Sequence, residues 1–376
     1  IRWSLWIWIG LFLAVGGCGD EGDDDSADEG PGWTSAELDV VGARLVYDPA
    51  GFVDIVDADG NAIVTHGRGV WTLDDTGDGG IRVATDGDRP RNAVLSYGLT
   101  DLGHAQRLEV TVTGTGDEPD LVWTIAAYHD LGYFTFRLRA DNRTDATLLM
   151  AKSAPLQMDW EDGGALFLGQ DPAEHRILEN GSYAALDFFA AVLPGDVPFD
   201  EGYSTLLPGN FQGHSVSTGN HAVADLAWAG DDAPGSGAWV AGALTYETTS
   251  PVINISHNPW IAPESADGRL GFHYFSAESA WLPHPKPIDS GESLQSELFY
   301  IQPVAVDAQR GLEQYAETIA VQLDTRPWHR REEGRRVPNG WNSWSGSGST
   351  GGYGTGLGET EVIENLDVMA TELRDW

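Results

Sequence analysis

Hydrophobic and polar residues alternate over most of the chain, which is the pattern of β-strands with one buried face. Leu108, Val110 and Val112 alternate with polar residues, and residues 134–138 repeat the alternation. Further strand candidates lie at residues 81–85, 147–151, 239–246, 271–275 and 293–302. Turn clusters rich in glycine and aspartate separate them, for example at residues 57–61, 75–80 and 231–237. This pattern predicts a mostly β fold, a large antiparallel sandwich.

Helical periodicity is nearly absent between residues 36 and 304, and no internal repeat is detectable, which favours a sandwich over a propeller. Asp57, Asp59 and Asn61 resemble the opening of a calcium loop, but the glutamate that closes such a loop is missing. A hairpin turn is the better interpretation. Most tryptophans in the second half of the sandwich are expected in its core, since large aromatic side chains dominate core burial: Trp228, Trp239, Trp260 and Trp281.

One helix is predicted after the sandwich, over residues 307–322. Asp307 can cap its start, and Leu312, Tyr315 and Ile319 recur at helical spacing to form an inner face. A basic segment follows at residues 325–336, with arginines at positions 326, 330, 331, 335 and 336. In so acidic a chain this segment is interpreted as an inter-domain linker whose arginines pair with carboxylates on both flanking domains.

The segment after the linker predicts one strand, one loop and one helix. Residues 340–344 form a short aromatic run between Pro338 and a glycine cluster, which suits a brief buried strand. Thr360 can cap a helix whose apolar stripe contains Ile363, Leu366, Ala370 and Leu373. A strand followed by a helix needs a parallel neighbour, and a whole (β/α)8 barrel takes roughly 250 residues. Residues 338–376 are therefore expected to be the first unit of a barrel that is incomplete in this chain.

The start of the chain is expected to direct export. Arg2 precedes an apolar run at residues 3–15 that is too short to span a membrane, which indicates a signal peptide. Gly16, Gly17 and Cys18 then resemble a bacterial lipoprotein processing site, and Cys18, the only cysteine, is the expected lipid anchor. The alternative is an ordinary signal peptide with an incidental cysteine. Because the chain begins with isoleucine, its start is expected to be incomplete or to use an alternative start codon.

An acidic, low-complexity tether is predicted at residues 19–32, because this segment cannot bury a core. The whole chain has a formal net charge of −37, which excludes nucleic acid and an anionic membrane surface as partners of the folded part. Membrane contact is expected through the lipid anchor only. These features predict an exported, membrane-anchored lipoprotein on the periplasmic face or the cell surface.

No cofactor or metal is expected. The ten histidines are scattered and have no cysteine partners, so the sequence predicts no metal site. Gly346, Gly348 and Gly351 form a literal GxGxxG, but the helix does not begin inside it, as a dinucleotide site requires. His214 and Ser215 lie in a polar stretch that is interpreted as a plain surface loop, with a binding edge as the alternative.

The motif Gly340-Trp341-Asn342-Ser343-Trp344, the glycine-rich loop and the helix after it resemble the start of the catalytic barrel in family 36 glycoside hydrolases. These are the α-galactosidase (melibiase-like) and raffinose-synthase-like enzymes, which are related to the family 27 α-galactosidases. The resemblance in motif covers residues 338–376 only. It implies a β-supersandwich before the barrel and a further β domain after it. The chain would then be the N-terminal portion of such an enzyme, in a bacterial lipoprotein form.

The resemblance also implies a chemistry. These enzymes are retaining glycosidases with two catalytic aspartates on later barrel strands, beyond Trp376, so no catalytic residue is assigned in this chain. Trp344 matches a residue that lines the galactose pocket, whereas Trp341 and Asn342 are expected to shape the strand end beside it. A core position at the barrel rim is the alternative for Trp344. Ser345 and Gly346 replace the bulky or charged residue that often follows the motif, which leaves the exact substrate open.

The expected organisation is a signal peptide (1–18), a tether (19–32), a β-supersandwich (33–304), a helix and basic linker (305–337) and the start of a barrel (338–376). The expected parent enzyme cleaves terminal α-galactosides, binds an α-galactoside or a related oligosaccharide, and forms a homo-oligomer with help from the sandwich. The chain itself is expected to be inactive. Two alternatives stay open: a non-catalytic surface lipoprotein that binds carbohydrate or a protein, and a transglycosylating enzyme on the same scaffold.

Overall fold

The computed structural model describes residues 35–73, 81–169, 176–178, 191–192, 214–218, 223–226, 238–249, 251–257, 263–281 and 285–325. It divides into two compact units, residues 1–318 and 319–376, and of the second only residues 319–325 are described. The described part of the first unit contains 21 β-strands arranged in two antiparallel sheets, and it is mostly β as the alternation predicts. The predicted barrel unit at residues 338–376 lies outside the described residues.

The larger sheet has 11 strands. Its strands are β1 (Ala36–Val40), β2 (Ala43–Tyr47), β3 (Val53–Asp57), β4 (Ala62–Leu73), β5 (Arg82–Ala84), β10 (Leu148–Asp159), β11 (Ala165–Leu166), β14 (His214–Thr218), β17 (Val252–His257), β18 (Tyr274–Ala280) and β19 (Lys286–Ile288). The order along the sheet is β1-β2-β3-β4-β10-β18-β17-β14, with β5 and β11 paired to β4 and β19 paired to β10. The contact between β4 and β10 joins segments that are far apart in sequence, and it places both strands at the centre of the sheet.

The smaller sheet has 10 strands. Its strands are β6 (Arg91–Thr100), β7 (Gly103–Val112), β8 (Asp120–Tyr128), β9 (Tyr133–Asp141), β12 (Arg176–Leu178), β13 (Ala191–Val192), β15 (Val223–Leu226), β16 (Ala238–Ala243), β20 (Ser293–Gln295) and β21 (Phe299–Ala305). Consecutive hairpins build one half of it, since β6, β7, β8 and β9 pair in chain order. Two short 3-10 helices, His129–Leu131 and Trp160–Asp162, interrupt the strands.

The hydrophobic core lies between the two sheets. The ring of Trp239 on β16 meets Phe275 on β18 edge to face, with centroids 4.9 Å apart. The indole nitrogen of Trp123 on β8 donates a 2.8 Å hydrogen bond to the carbonyl of Pro155 on β10. The rings of Trp71 and Trp281 stack with centroids 5.4 Å apart. The expected core positions of Trp239 and Trp281 are confirmed, whereas Trp228 and Trp260 lie outside the described residues.

The strands predicted in the sandwich are present, and some of their bounds differ. The segment 293–302 forms two strands, β20 and β21, because Glu297 between them turns aside to bind another loop. The segment 271–275 enters its strand only at Tyr274, after Phe272 makes an isolated bridge to Leu166. The interpretation of His214 and Ser215 as a surface loop is wrong, because backbone hydrogen bonding to β17 makes them part of β14.

The turn at residues 57–61 is a hairpin turn between β3 and β4, as predicted. The carboxylate of Asp57 accepts hydrogen bonds from the backbone of Asp59 at 2.9 Å and of Asn61 at 2.8 Å. The Asn61 amide group donates to the same carboxylate at 2.8 Å. Gly60 adopts a φ of +85°, which a residue with a side chain rarely does. The Asp57 carboxylate is therefore used to close the turn.

The helix predicted after the sandwich is present as α1 (Ala308–Gln322), whereas the helix predicted from Thr360 lies outside the described residues. Asp307 caps it, since its carboxylate accepts a 2.8 Å hydrogen bond from the backbone of Arg310. The inner face differs from the expected one: Tyr315 is buried, but Leu312 and Ile319 are only half-buried, and Thr318 is buried instead. No helix in the described ranges is both long enough and apolar enough to cross a membrane.

Candidate functional site

The residues that the sequence assigns to a site are not among those the structure describes. Trp341, Asn342 and Trp344, the expected substrate-binding residues, lie outside the described ranges, and so does the expected lipid anchor Cys18. Their roles stay predictions. The described residues instead bring together a polar site that the sequence did not single out.

This site is a cleft of about 410 Å³ beside the short strand β5 of the larger sheet, and we call it the arginine cleft. Strands and loops from both sheets contribute to it. Its lining residues are Arg68, Arg82, Ala84, Asp86, Arg89, Thr115, Glu118 and Asp162. The formal charges of three arginines and three acidic residues cancel, so the cleft is neutral within a chain of net charge −37.

Arg68 on β4 is the buried centre of the arginine cleft, with 3% of its side chain exposed. One terminal nitrogen donates a 2.8 Å hydrogen bond to Asp86, and the other contacts Asp162. Its Nε atom is buried without a hydrogen-bond partner in the described structure. Buried cations are stable only when they are paired, so Asp86 and Asp162 are what allows a guanidinium at this depth.

Arg82 and Arg89 form the more accessible part of the cleft. Arg82 reaches Asp162 and the Gln157 side chain at 3.5 Å each, at the outer limit of hydrogen bonding. Arg89 pairs with Glu118 at 3.3 Å and also donates to the carbonyl of Ala84. Burial lowers the pKa of Arg82, with repulsion from Arg68 as the next cause, and burial likewise lowers the pKa of Arg89.

The loops around the cleft are held by buried hydrogen bonds. The hydroxyl of Thr85 accepts from the backbone of Gly69 and donates to the carbonyl of Gly51, both at 3.0 Å. The guanidinium of Arg91 donates at 2.9 Å to the carbonyls of Thr85 and Pro49. On the opposite side, Asp120 accepts a 2.8 Å hydrogen bond from the backbone of Gly114, which begins the loop that carries Glu118. The walls are thus preformed.

A band of buried polar side chains continues from the cleft across the larger sheet. Gln157 on β10 lies opposite Arg68 on one side and Ser276 on the other, and Ser276 lies opposite Asn254. These residues alternate with the core residues Leu156, Phe275 and Ile253, so they lie on the sheet face that points away from the core. We call Gln157, Asn254, Tyr274, Ser276 and Glu278 the polar band.

Hydrogen bonds connect the members of the polar band to one another. Gln157 donates to the hydroxyl of Tyr274 at 3.3 Å, and that hydroxyl donates to Glu278 at 3.1 Å. Ser276 donates to Glu278 at 2.6 Å and accepts from Asn254 at 3.1 Å. Burial raises the pKa of Tyr274 well above its ordinary value, followed by repulsion from the Glu278 charge, so this phenol keeps its proton.

The cleft and the band offer hydrogen-bond donors and acceptors rather than a metal-ligand set. Within the described ranges, no group of three or more histidine, cysteine, aspartate or glutamate residues is arranged to hold a metal ion. One sequence signal could have pointed to the cleft: Arg82, Arg89 and Arg91 cluster within ten residues of a chain that is poor in basic residues. Alternation along β18 carries a second signal, because every other residue from Tyr274 to Glu278 is polar.

Comparison with solved structures finds chains of similar architecture. One is a variant of the α-galactosidase AgaA from Geobacillus stearothermophilus in complex with 1-deoxygalactonojirimycin, with 11% identity, a TM-score of 0.44 and coverage of 76% of this chain and 42% of that one. Another is an AgaA variant in complex with stachyose, with 11% identity, a TM-score of 0.45 and the same coverage of 76% and 42%.

A third is the Slr1438 protein from Synechocystis sp. PCC 6803, with 9% identity, a TM-score of 0.42 and coverage of 74% of this chain and 99% of that one. No protein-family model matches the chain, and no curated protein matches it. The chain spans 42% of the length of the α-galactosidases with which it aligns.

Proposed function

We propose that this chain is the N-terminal part of a retaining glycoside hydrolase that cleaves terminal α-galactosides. The observation that carries the proposal is the order of its parts. A two-sheet β-sandwich is followed by one capped helix, α1, then by the basic linker, and then by the motif Gly340-Trp341-Asn342-Ser343-Trp344. This is the order that the resemblance to family 36 glycoside hydrolases implies.

In this proposal the chain supplies part of the substrate pocket and none of the reacting carboxylates. Trp344 packs against the apolar face of the galactose ring, and Trp341 and Asn342 shape the end of the first barrel strand beside it. The nucleophile and the acid/base are two aspartates on later strands, about 5 Å apart as retention requires. The three motif residues would then bind substrate in the complete protein and would not hydrolyse it alone.

We also propose that the protein is exported and anchored by a lipid on Cys18. A short apolar leader, a cysteine after two glycines and an acidic tether support this placement. All charged residues of the tether are acidic, so their mutual repulsion would extend it and hold the sandwich away from the membrane surface.

Activity of the protein translated from the complete gene tests the enzymatic proposal. We expect release of galactose from an aryl α-galactoside, and α-galactose as the first anomer seen by proton NMR, because retention passes through a glycosyl-enzyme. Trp344→Ala should lower kcat/KM about a hundredfold or more, whereas Trp160→Ala, at an exposed tryptophan on the sandwich, should not change it. Release of β-galactose first, or equal activity of the two variants, would overturn the mechanism or the pocket assignment.

The same assay separates hydrolysis from transglycosylation. With raffinose as donor and an added sugar acceptor, a hydrolase should release free galactose, whereas a transglycosylating enzyme should form an extended oligosaccharide.

A non-catalytic, carbohydrate-binding lipoprotein is the second candidate, and the preformed arginine cleft favours it. That candidate predicts saccharide binding without turnover by the complete protein.

A further inference from the structure

We propose that the arginine cleft binds a neutral saccharide unit through a pair of neighbouring hydroxyl groups. The inference goes beyond the proposed hydrolysis, which it neither requires nor extends. It concerns residues on the sandwich, and it is tested by binding rather than by turnover.

The cleft contains hydrogen-bond donors and acceptors that the protein itself leaves unused. Each of its carboxylates uses one oxygen: Oδ2 of Asp86, Oδ2 of Asp162 and Oε2 of Glu118 receive all the contacts found in the described structure. The second oxygen of each is left to accept. Arg82 holds its two neighbours only at 3.5 Å, so its guanidinium nitrogens are left to donate. The cleft therefore offers both donors and acceptors.

The balance of charge in the cleft decides between classes of ligand. An anion such as phosphate would meet three guanidinium groups that are already paired, and it would face the three remaining carboxylate oxygens. A divalent cation would be repelled by the same three guanidinium groups. A neutral polyol avoids both conflicts, because each hydroxyl accepts from an arginine and donates to a carboxylate.

The walls of the cleft are preorganised. Arg91, Thr85 and Asp120 fix the loops that carry Asp86, Arg89 and Glu118, so binding does not have to order them. The volume of about 410 Å³ is in the range of small-molecule sites. The buried polar band meets the cleft only at Gln157, whose side chain lies 3.5 Å from the Arg82 guanidinium.

Direct binding tests the proposal on the full chain, with methyl α-galactoside, methyl α-glucoside and methyl α-mannoside as probes at up to about 20 mM. We expect at least one of these glycosides to bind with Kd of about 1 mM, measured by ligand-observed NMR and calorimetry. Arg82→Gln and Glu118→Gln should each weaken that binding about tenfold or more, because each removes charge-assisted hydrogen bonds to the ligand. Both side chains are partly exposed, so the variants should fold, as thermal unfolding would verify.

Arg44→Gln is the matched control. Arg44 on β2 is an exposed arginine that pairs with two acidic side chains, Glu37 and Asp39, but it lies outside the cleft. Its variant should bind the glycoside as the original chain does. The proposal is overturned if no glycoside binds, if both cleft variants bind it unchanged, or if inorganic phosphate or galacturonate binds the cleft in preference to the neutral glycosides.

Discussion

The hydroxyl of Tyr315 donates a 2.6 Å hydrogen bond to the carbonyl of Ala243 and thereby fastens helix α1 to strand β16 of the smaller sheet. The Tyr315 ring also lies against Tyr300, with centroids 5.4 Å apart, and directly over Gly242, where it leaves no room for a β-carbon. This contact holds the helix from which the basic linker departs.

Removing the Tyr315 side chain should loosen that attachment. Tyr315→Ala should lower the free energy of unfolding by about 3–5 kcal/mol, because it deletes a buried aromatic ring. Tyr315→Phe should lower it by only about 1 kcal/mol, because it removes one buried hydrogen bond while the Ala243 carbonyl still accepts from the Tyr246 hydroxyl at 3.2 Å. Gly242→Ala should cost about 1–3 kcal/mol through overpacking against the ring. Urea unfolding measures all three. Gly98→Ala, at a glycine with no atom within 4 Å of the added carbon, is the control and should cost much less.

The buried carboxylate of Glu297 should make the free energy of unfolding depend on pH. It accepts hydrogen bonds from the Thr245 hydroxyl at 2.6 Å and from the backbone of Thr248 at 2.7 Å and Thr249 at 3.0 Å. Burial alone would raise its pKa, but these hydrogen bonds outweigh burial and hold the pKa below the ordinary value of 4.5. The stabilisation is therefore complete above pH 4.5 and is lost as the pH falls through the lower, folded-state pKa.

Glu297→Gln should remove that dependence. The variant should be less stable by about 2–4 kcal/mol at neutral pH, because several bonds to a charged acceptor become weaker or are lost. Its free energy of unfolding should also fall less than that of the original chain as the pH is lowered from about 5 to about 3. Glu109→Gln, at an exposed glutamate paired with Arg107, should change neither quantity appreciably. An equal loss of stability on acidification in the original chain and in Glu297→Gln would contradict this account.

The ion pairs of Arg68 predict that removing the arginine costs less stability than removing its two partners, Asp86 and Asp162. Arg68 is buried, whereas Asp86 and Asp162 remain 21% and 38% exposed. Arg68→Met leaves two carboxylates that water can solvate, so it should cost little. The double variant Asp86→Asn, Asp162→Asn leaves a buried cation unpaired and should cost about 3–5 kcal/mol. Urea unfolding at neutral pH compares them, and a larger loss for Arg68→Met would show that the arginine is not held by its charge partners.

The proposed lipid anchor on Cys18 predicts where the complete protein is found in the cell. In a bacterial host that processes lipoproteins, the complete protein should fractionate with membranes, and Cys18→Ala should release it or leave an unprocessed precursor. Incorporation of radiolabelled palmitate into the original protein, but not into the variant, measures the modification directly. Membrane association that persists unchanged in Cys18→Ala, with no label in either protein, would favour the incidental cysteine.

Local sequence patterns predicted the hairpins well. The alternation at Leu108, Val110 and Val112 gave β7, and the same pattern gave β9, because one face of each strand is buried against the other sheet. The cap at Asp307 gave the start of α1. These elements depend on periodicity and on contacts between near neighbours, both of which are visible in the sequence.

The parts that sequence patterns missed depend on distant contacts. The register between β4 and β10 joins Arg68 to Gln157, and no local pattern encodes that pairing. The arginine cleft combines residues from separate segments of the chain, so the positions of its residues along the sequence follow no recognisable period. The buried face of α1 carries Tyr315 and Thr318, because Tyr315 packs against Gly242 on β16, and no local pattern encodes that contact.

Sequencing the gene beyond the codon for Trp376, together with purification of the chain as far as Trp376, tests whether this protein is the N-terminal part of a glycoside hydrolase. We expect the reading frame to continue through alternating strands and helices, with aspartates at the carboxyl ends of later strands, and the complete protein to release galactose. A stop codon directly after Trp376, together with a chain that folds stably on its own, would contradict this expectation.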